Sequence, residues 1–176
     1  SGALSDPFAD IRPYRDEAVA AVLGRLLADP EFLDAIASLR LRRLASLAPW
    51  LVRPLVRFVL AREVRGVNDV AGMQDVISGY MDRMIASTTG GLSISGLERL
   101  DAGRAYLFMS NHRDIAMDPA FTNYALHQGK RDTVRIAIGD NLLTKPWTSD
   151  LMRLNKSFIV KRSLSGPREL LAASKN

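Results

Sequence analysis

The chain has 176 residues, no cysteine, two histidines and a formal net charge of +5, the excess being mostly arginine. The missing cysteines exclude disulfides, thiol nucleophiles and cysteine-based metal sites, and the length suits one domain with a sizeable core. The basic balance points to an anionic partner: phosphate, membrane headgroups or nucleic acid.

The first ninety residues read as helices. Asp16 and Glu17 stand near a helix start, Val19, Val22, Leu23, Leu26 and Leu27 recur at helical spacing, and Asp29-Pro30 breaks the run. A second helix follows through Phe32, Leu33 and Ile36. Between Leu39 and Arg65, arginines including Arg43, Arg53, Arg57 and Arg62 alternate with Trp50, Leu51, Leu55, Phe58 and Val59. That stretch is too short and too charged to cross a bilayer. Arg53 and Arg57 share a helical face and the apolar set opposes them, as in an interfacial helix with basic groups toward lipid phosphates. A basic helix packed on its own domain is the competing reading. Pro49 and Pro54 start or kink the helices here. Asn68 to Ser87 is a further amphipathic helix whose methionine-rich stripe, Met73, Met81 and Met84, belongs in a core.

Thr88-Thr89-Gly90-Gly91 punctuates the chain, and an α/β pattern follows. Leu92–Ser95 is expected to be a short strand and Ala105–Ser110 a buried one, its run Ala105-Tyr106-Leu107-Phe108-Met109 being almost wholly apolar. Pro119 to Gln128 reads as a helix, with His127 a surface residue at its far end. Thr133 to Ile138 is a β-rich run, and Arg168 to Ala173 is the last expected helix.

Asn111-His112-Arg113-Asp114-Ile115-Ala116-Met117-Asp118-Pro119 follows the apolar run and carries the chemistry. A histidine with a carboxylate can act as a general base, one imidazole nitrogen taking a hydroxyl proton while the acid fixes the tautomer. Either Asp118 or Asp114 can play the second part. The His-Arg-Asp triplet also occurs in protein kinases, but that loop requires an asparagine where Pro119 stands, and neither a glycine-rich loop nor an Asp-Phe-Gly accompanies it. Ser110 lacks the Gly-x-Ser-x-Gly elbow of a hydrolase nucleophile.

The segment Ile94-Ser95-Gly96-Leu97-Glu98-Arg99-Leu100, the apolar run, Asn111-His112 and Asp118-Pro119 together resemble the first block of the glycerolipid acyltransferases. That family has four residues between the histidine and the aspartate; this chain has five. Asn141 to Pro146, Leu151 to Leu154 and Ser157 to Arg162 resemble the family's second block, which implies a short helix after Pro146 and a strand ending at the basic pair, with Ser149 and Asn155-Lys156 where glycines are usual. The third and fourth blocks do not follow. The resemblance implies an α/β fold, with a helical N-terminal region over 1–91, basic and amphipathic over 39–65, and a partial, truncated acyltransferase-type sheet domain over 92–176.

The resemblance further implies transfer of a fatty acyl group from acyl-CoA or acyl carrier protein to a hydroxyl of glycerol 3-phosphate or lysophosphatidate, in phospholipid synthesis. His112 would be the base and Asp118, or else Asp114, its orienting acid. Asn111, Arg113, Lys161 and Arg162 would bind substrate, with no metal and no cofactor beyond the thioester. A peripheral site on the cytoplasmic face of the inner membrane follows, with Arg43, Trp50, Arg53, Arg57 and Phe58 toward anionic lipid. Nucleic acid is not expected, because aliphatic residues rather than aromatic platforms separate the arginines. The alternative from another class is a non-catalytic membrane-surface or anion-binding module of the same fold.

Overall fold

A computed structural model describes residues 6–41, 48–111, 113–114, 116 onward to 162. His112, Ile115, Arg43 and the helix expected over Arg168 to Ala173 lie outside them. The described elements are α1 (Asp16–Ala28), α2 (Pro30–Arg40), α3 (Pro49–Glu63), α4 (Val70–Thr88), α5 (Met117–Gln128), β1 (Ile136–Gly139), α6 (Pro146–Leu154) and β2 (Ser157–Val160). The fold is mixed, mostly helical with a small parallel sheet, in keeping with an α/β chain. It divides into two compact units: residues up to Met73 together with those from Arg135, and Gln74–Val134.

In the first unit the helices form where local sequence dictates. Asp16 and Glu17 lie in the first turn of α1 and Arg25 in its last, each complementing the helix dipole. Asp29 caps α2, its carboxylate accepting from the Glu31 and Phe32 amides at 2.9 and 3.0 Å, with Pro30 at the position that needs no donor. Val19, Val22, Leu23 and Leu26 of α1, Phe32, Leu33 and Ala37 of α2, and Val52, Val56 and Leu60 of α3 make the core, joined by Leu154 of α6. Two ion pairs fasten α3 to α2: Arg53 forks onto Asp34 at 2.9 and 2.8 Å, and Arg40 reaches Glu63 at 3.1 Å.

The sheet is one βαβ unit. β1 and β2 run parallel in the register Ile136↔Ser157 to Gly139↔Val160, with α6 in the crossover. The stretch before α1 lies along β2, where the Ile159 amide donates to the Ile11 carbonyl at 2.8 Å. Arg153 of α6 holds that stretch. Its guanidinium sits 4.1 Å over the Tyr14 ring and donates to the carbonyls of Arg12 at 2.8 Å and Ala9 at 2.6 Å. Tyr14 in turn donates to Asp150 at 2.5 Å, and Arg25 forks onto the same carboxylate at 3.0 and 2.9 Å. Burial and the Asp150 carboxylate raise the Tyr14 phenol above its ordinary pKa, so it remains a donor.

In the second unit α4 and α5 are stitched by polar contacts. Tyr124 donates to Asp82 at 2.5 Å, Gln128 reaches Ser78 and Asp82, and His127 lies 2.8 Å from Asp75. His127 is therefore half-buried against a carboxylate rather than a free surface residue. Asn123 is buried and brackets Val134, donating to its carbonyl at 3.2 Å and accepting from its amide at 2.9 Å.

Two expected strands do not form. Leu92–Ser95 and Ala105–Ser110 join no ladder among the described residues, and all of 101–110 is exposed, Leu107 and Met109 to 86%. Apolar content makes a strand only where a neighbour completes the hydrogen bonds. Here local contacts win: the Asp101 amide donates to the Tyr106 hydroxyl at 2.7 Å, and the Tyr106 and Phe108 rings stack at 6.3 Å. Helix α5 also starts at Met117, two residues before Pro119.

Leu154 is fully buried, so Leu154→Ala is expected to lower the unfolding free energy by about 3 kcal/mol in urea titration. Asp150 sits below its ordinary pKa: burial raises it, but the hydrogen bonds from Arg25 and Tyr14 and the charges of Arg25 and Arg153 outweigh burial. Stability from a depressed carboxylate is present above the unfolded-state pKa and lost as pH falls through the folded one. Asp150→Asn should thus cost about 1 kcal/mol near neutral pH, with the gap to wild type closing below about pH 3.9.

Candidate active site

The loop 111–118 is built by its two carboxylates. Asp114 Oδ1 accepts from the amides of Ala116 at 2.9 Å and Met117 at 2.8 Å, satisfying donors that the start of α5 leaves open. Asp118, in the first turn of α5, reaches back: its Oδ2 accepts from the Arg113 amide at 2.6 Å and the Asp114 amide at 3.0 Å. The Asp114 side chain thus holds the amides that follow it, while the Asp118 side chain holds the amide of Asp114 itself. The Asp118 carboxylate also lies on the amide of the residue that follows His112 in the sequence.

Asn111, Arg113 and Asp114 are exposed, and Asp118 is half-buried. The described residues are thus open to solvent at Asn111, Arg113 and Asp114 and held by hydrogen bonds at Asp118. Asp114 is committed to capping α5 through one oxygen, so the two aspartates do different work. A negative charge at this position also suits the positive end of the α5 dipole.

Lys161 and Arg162 stand at the carboxyl end of β2, in the other unit. Lys161 Nζ lies 2.5 Å from Asp10 Oδ2, and its ammonium holds that carboxyl below the ordinary carboxylate range. The Arg162 amide donates to Asp140 Oδ1 at 3.0 Å, while its side chain crosses Gly139 and remains exposed. Gly139 lets these side chains approach the backbone: a Cβ there would lie 2.5 Å from Asn141 Oδ1 and 2.9 Å from Arg162 Cδ, and both side chains would have to shift. Asp10 and Asp140, the partners of the two basic residues, carry no mark in the sequence. Asp10 is separated from Lys161 by 151 positions, beyond any local spacing rule.

The turn into β2 explains one departure from the family's pattern. Lys156 has φ of 62°, the left-handed conformation that glycine adopts without penalty. The backbone shape that a glycine would serve is present, carried by a lysine.

Residues 91–175 match the family model described as Acyltransferase. This segment is an acyltransferase-family domain. The acyltransferase domain takes in the loop 111–118, α5, the βαβ unit and the basic pair 161–162. Comparison with curated proteins and with solved structures gave no match. Among the described residues no three metal-ligating side chains converge.

If the Asp114 carboxylate caps α5, Asp114→Ala is expected to lower thermal stability by about 1 kcal/mol. Asp114→Asn, which retains the acceptor oxygen, should melt close to wild type.

Proposed function

We propose that the protein transfers a fatty acyl group from a thioester, acyl-CoA or acyl carrier protein, to a hydroxyl of glycerol 3-phosphate or lysophosphatidate. The observation that carries this reading is the Asp118 grip on the amides of Arg113 and Asp114, which brings a carboxylate within one residue of His112 despite the lengthened spacing. His112 takes the proton of the acceptor hydroxyl, and Asp118 holds the imidazole in the required tautomer and steadies its charge. The freed oxygen attacks the thioester carbonyl. The tetrahedral intermediate collapses by breaking the carbon–sulfur bond, and the imidazolium returns its proton to the departing thiolate. No acyl-enzyme is formed, and neither Ser110 nor a cysteine is required.

In this reading Arg113, Lys161 and Arg162 are the candidate phosphate-binding residues, Arg162 offering a guanidinium fork and Lys161 a point charge. Asn111 orients the acceptor beside the base. The enzyme works peripherally on the cytoplasmic face of an inner membrane, where its lipid acceptor resides, and its partners are anionic lipid, acceptor and acyl donor. Nucleic acid has no part. The lengthened spacing keeps one rival in view, a non-catalytic anion-binding module of the same fold.

Release of free thiol from acyl-CoA or acyl carrier protein, with glycerol 3-phosphate or lysophosphatidate as acceptor, tests the reaction. His112→Ala should lower kcat by about a thousandfold and Asp118→Asn by about a hundredfold, with Asp114→Asn near wild type. Arg162→Ala should act mainly on KM for the phosphate-bearing acceptor. Equal loss in Asp114→Asn and Asp118→Asn would remove the distinction between the carboxylates. A wild type that binds anionic vesicles yet consumes no thioester with either donor would favour the module.

A further inference from the structure

Helix α3 has two apolar faces, and the core needs only one. At about 100° per residue, Val52, Val56 and Leu60 fall on one side, and all three are buried. Trp50, Leu51, Leu55 and Phe58 fall on the other side and are 77%, 55%, 48% and 64% exposed. Pro54 also lies on the outward side, where a missing amide donor leaves a carbonyl that solvent or a headgroup can satisfy. Four large apolar side chains on one solvent-facing helix stripe mark an interaction surface rather than scattered exposure.

The charges beside the stripe select its partner. Arg57 flanks it on one side, Arg62 continues it one turn beyond Phe58 and Arg65 follows the helix, all three exposed. Among the described residues none of the three forms an ion pair. The nearby acid, Glu63, is held by Arg40, and Arg53 is taken by Asp34. A second copy of the chain is a poor occupant, because a two-fold contact would set each stripe on its like and bring arginines against arginines. A bilayer of anionic lipid meets both needs, apolar depth below and phosphate above. Its length sets the mode: fifteen residues span about 22 Å of helix, short of the hydrocarbon thickness, and no described helix is long and apolar enough to cross a membrane.

We propose that the outward face of α3 docks on an anionic lipid bilayer. Trp50, Leu51, Leu55 and Phe58 enter the boundary between headgroups and acyl chains, while Arg57, Arg62 and Arg65 contact lipid phosphates. Arg53 belongs to the internal fork on Asp34 and contributes to the fold rather than to the lipid. This assignment rests on the peripheral-membrane part of the reading above and makes it specific to one face; it does not require acyl transfer.

Flotation with phosphatidylcholine vesicles, with and without phosphatidylglycerol, tests it on the full chain. Wild type should float with the anionic vesicles and lose binding as salt rises. The double variant Leu55→Glu/Phe58→Glu should bind about tenfold less, as should Arg57→Gln/Arg62→Gln, with unchanged circular dichroism and unchanged acylation of soluble glycerol 3-phosphate. Bromine-labelled lipid should quench the fluorescence of wild type more than that of Trp50→Phe. Vesicle binding by the double glutamate variant equal to wild type, no flotation of wild type, or a wild-type dimer in sedimentation that the glutamates dissolve would each overturn the proposal. Flotation that holds while thioester consumption fails would sink the acyl-transfer reading and leave this one standing.

Discussion

The stacking of Arg153 on the Tyr14 ring is the contact on which the first unit depends. A single guanidinium covers an aromatic face and caps two backbone carbonyls of an otherwise irregular stretch, tying residues 9–14 to the last turn of α6. Asp150 completes the arrangement by drawing Tyr14 and Arg25 onto one carboxylate, which fixes α1 against α6. Because that stretch is held, β2 has a neighbour along it at Ile11 and Lys161 has a counterion at Asp10. A basic group at the sheet rim is therefore positioned by residues from the opposite end of the chain. Desolvating such a cluster is costly, and it holds because every charge in it has a partner of opposite sign or a hydrogen bond.

At the 111–118 loop the same principle works over a short range. Two carboxylates of identical chemistry are separated by what they hold. Asp114 satisfies the open amides at the start of α5 and so serves the helix. Asp118 turns back onto the loop and so serves the neighbourhood of the histidine. Helix α5 starts at Met117, which places Asp118 in its first turn. Helix and loop are thus fixed together, and preorganisation of this sort limits the cost of aligning a base with its substrate.

How much of this was legible in the sequence follows from range. The helices α1, α2 and α4 were readable, α4 within two residues, because caps such as Asp29-Pro30 and apolar spacing act within a few turns, although the helical pattern expected from Asp6 begins only at Asp16. The short helix after Pro146 and the strand from Ser157 were readable through the acyltransferase resemblance. The strand expected over Ala105–Ser110 was not, since its apolar pattern is equally compatible with a ladder and with an exposed run folded on its own aromatics. The second apolar face of α3 was visible as composition, but the division of labour between Val52, Val56 and Leu60 inside and Trp50, Leu55 and Phe58 outside required the helix to be seated on α2. Asp34, Asp10 and Asp140 were invisible, as single acids whose meaning lies entirely in distant partners.

Lys156 shows what survives when a motif residue changes. Its left-handed backbone costs a side-chain-bearing residue about 1 kcal/mol relative to glycine, yet the turn into β2 retains that geometry. The requirement at this point is written in a torsion angle, and the amino acid is only one way of meeting it. Relatives that have drifted at their glycines are then better sought by the handedness of their turns than by the letters of their motifs. A return to glycine at 156 would release strain without touching any group engaged in chemistry.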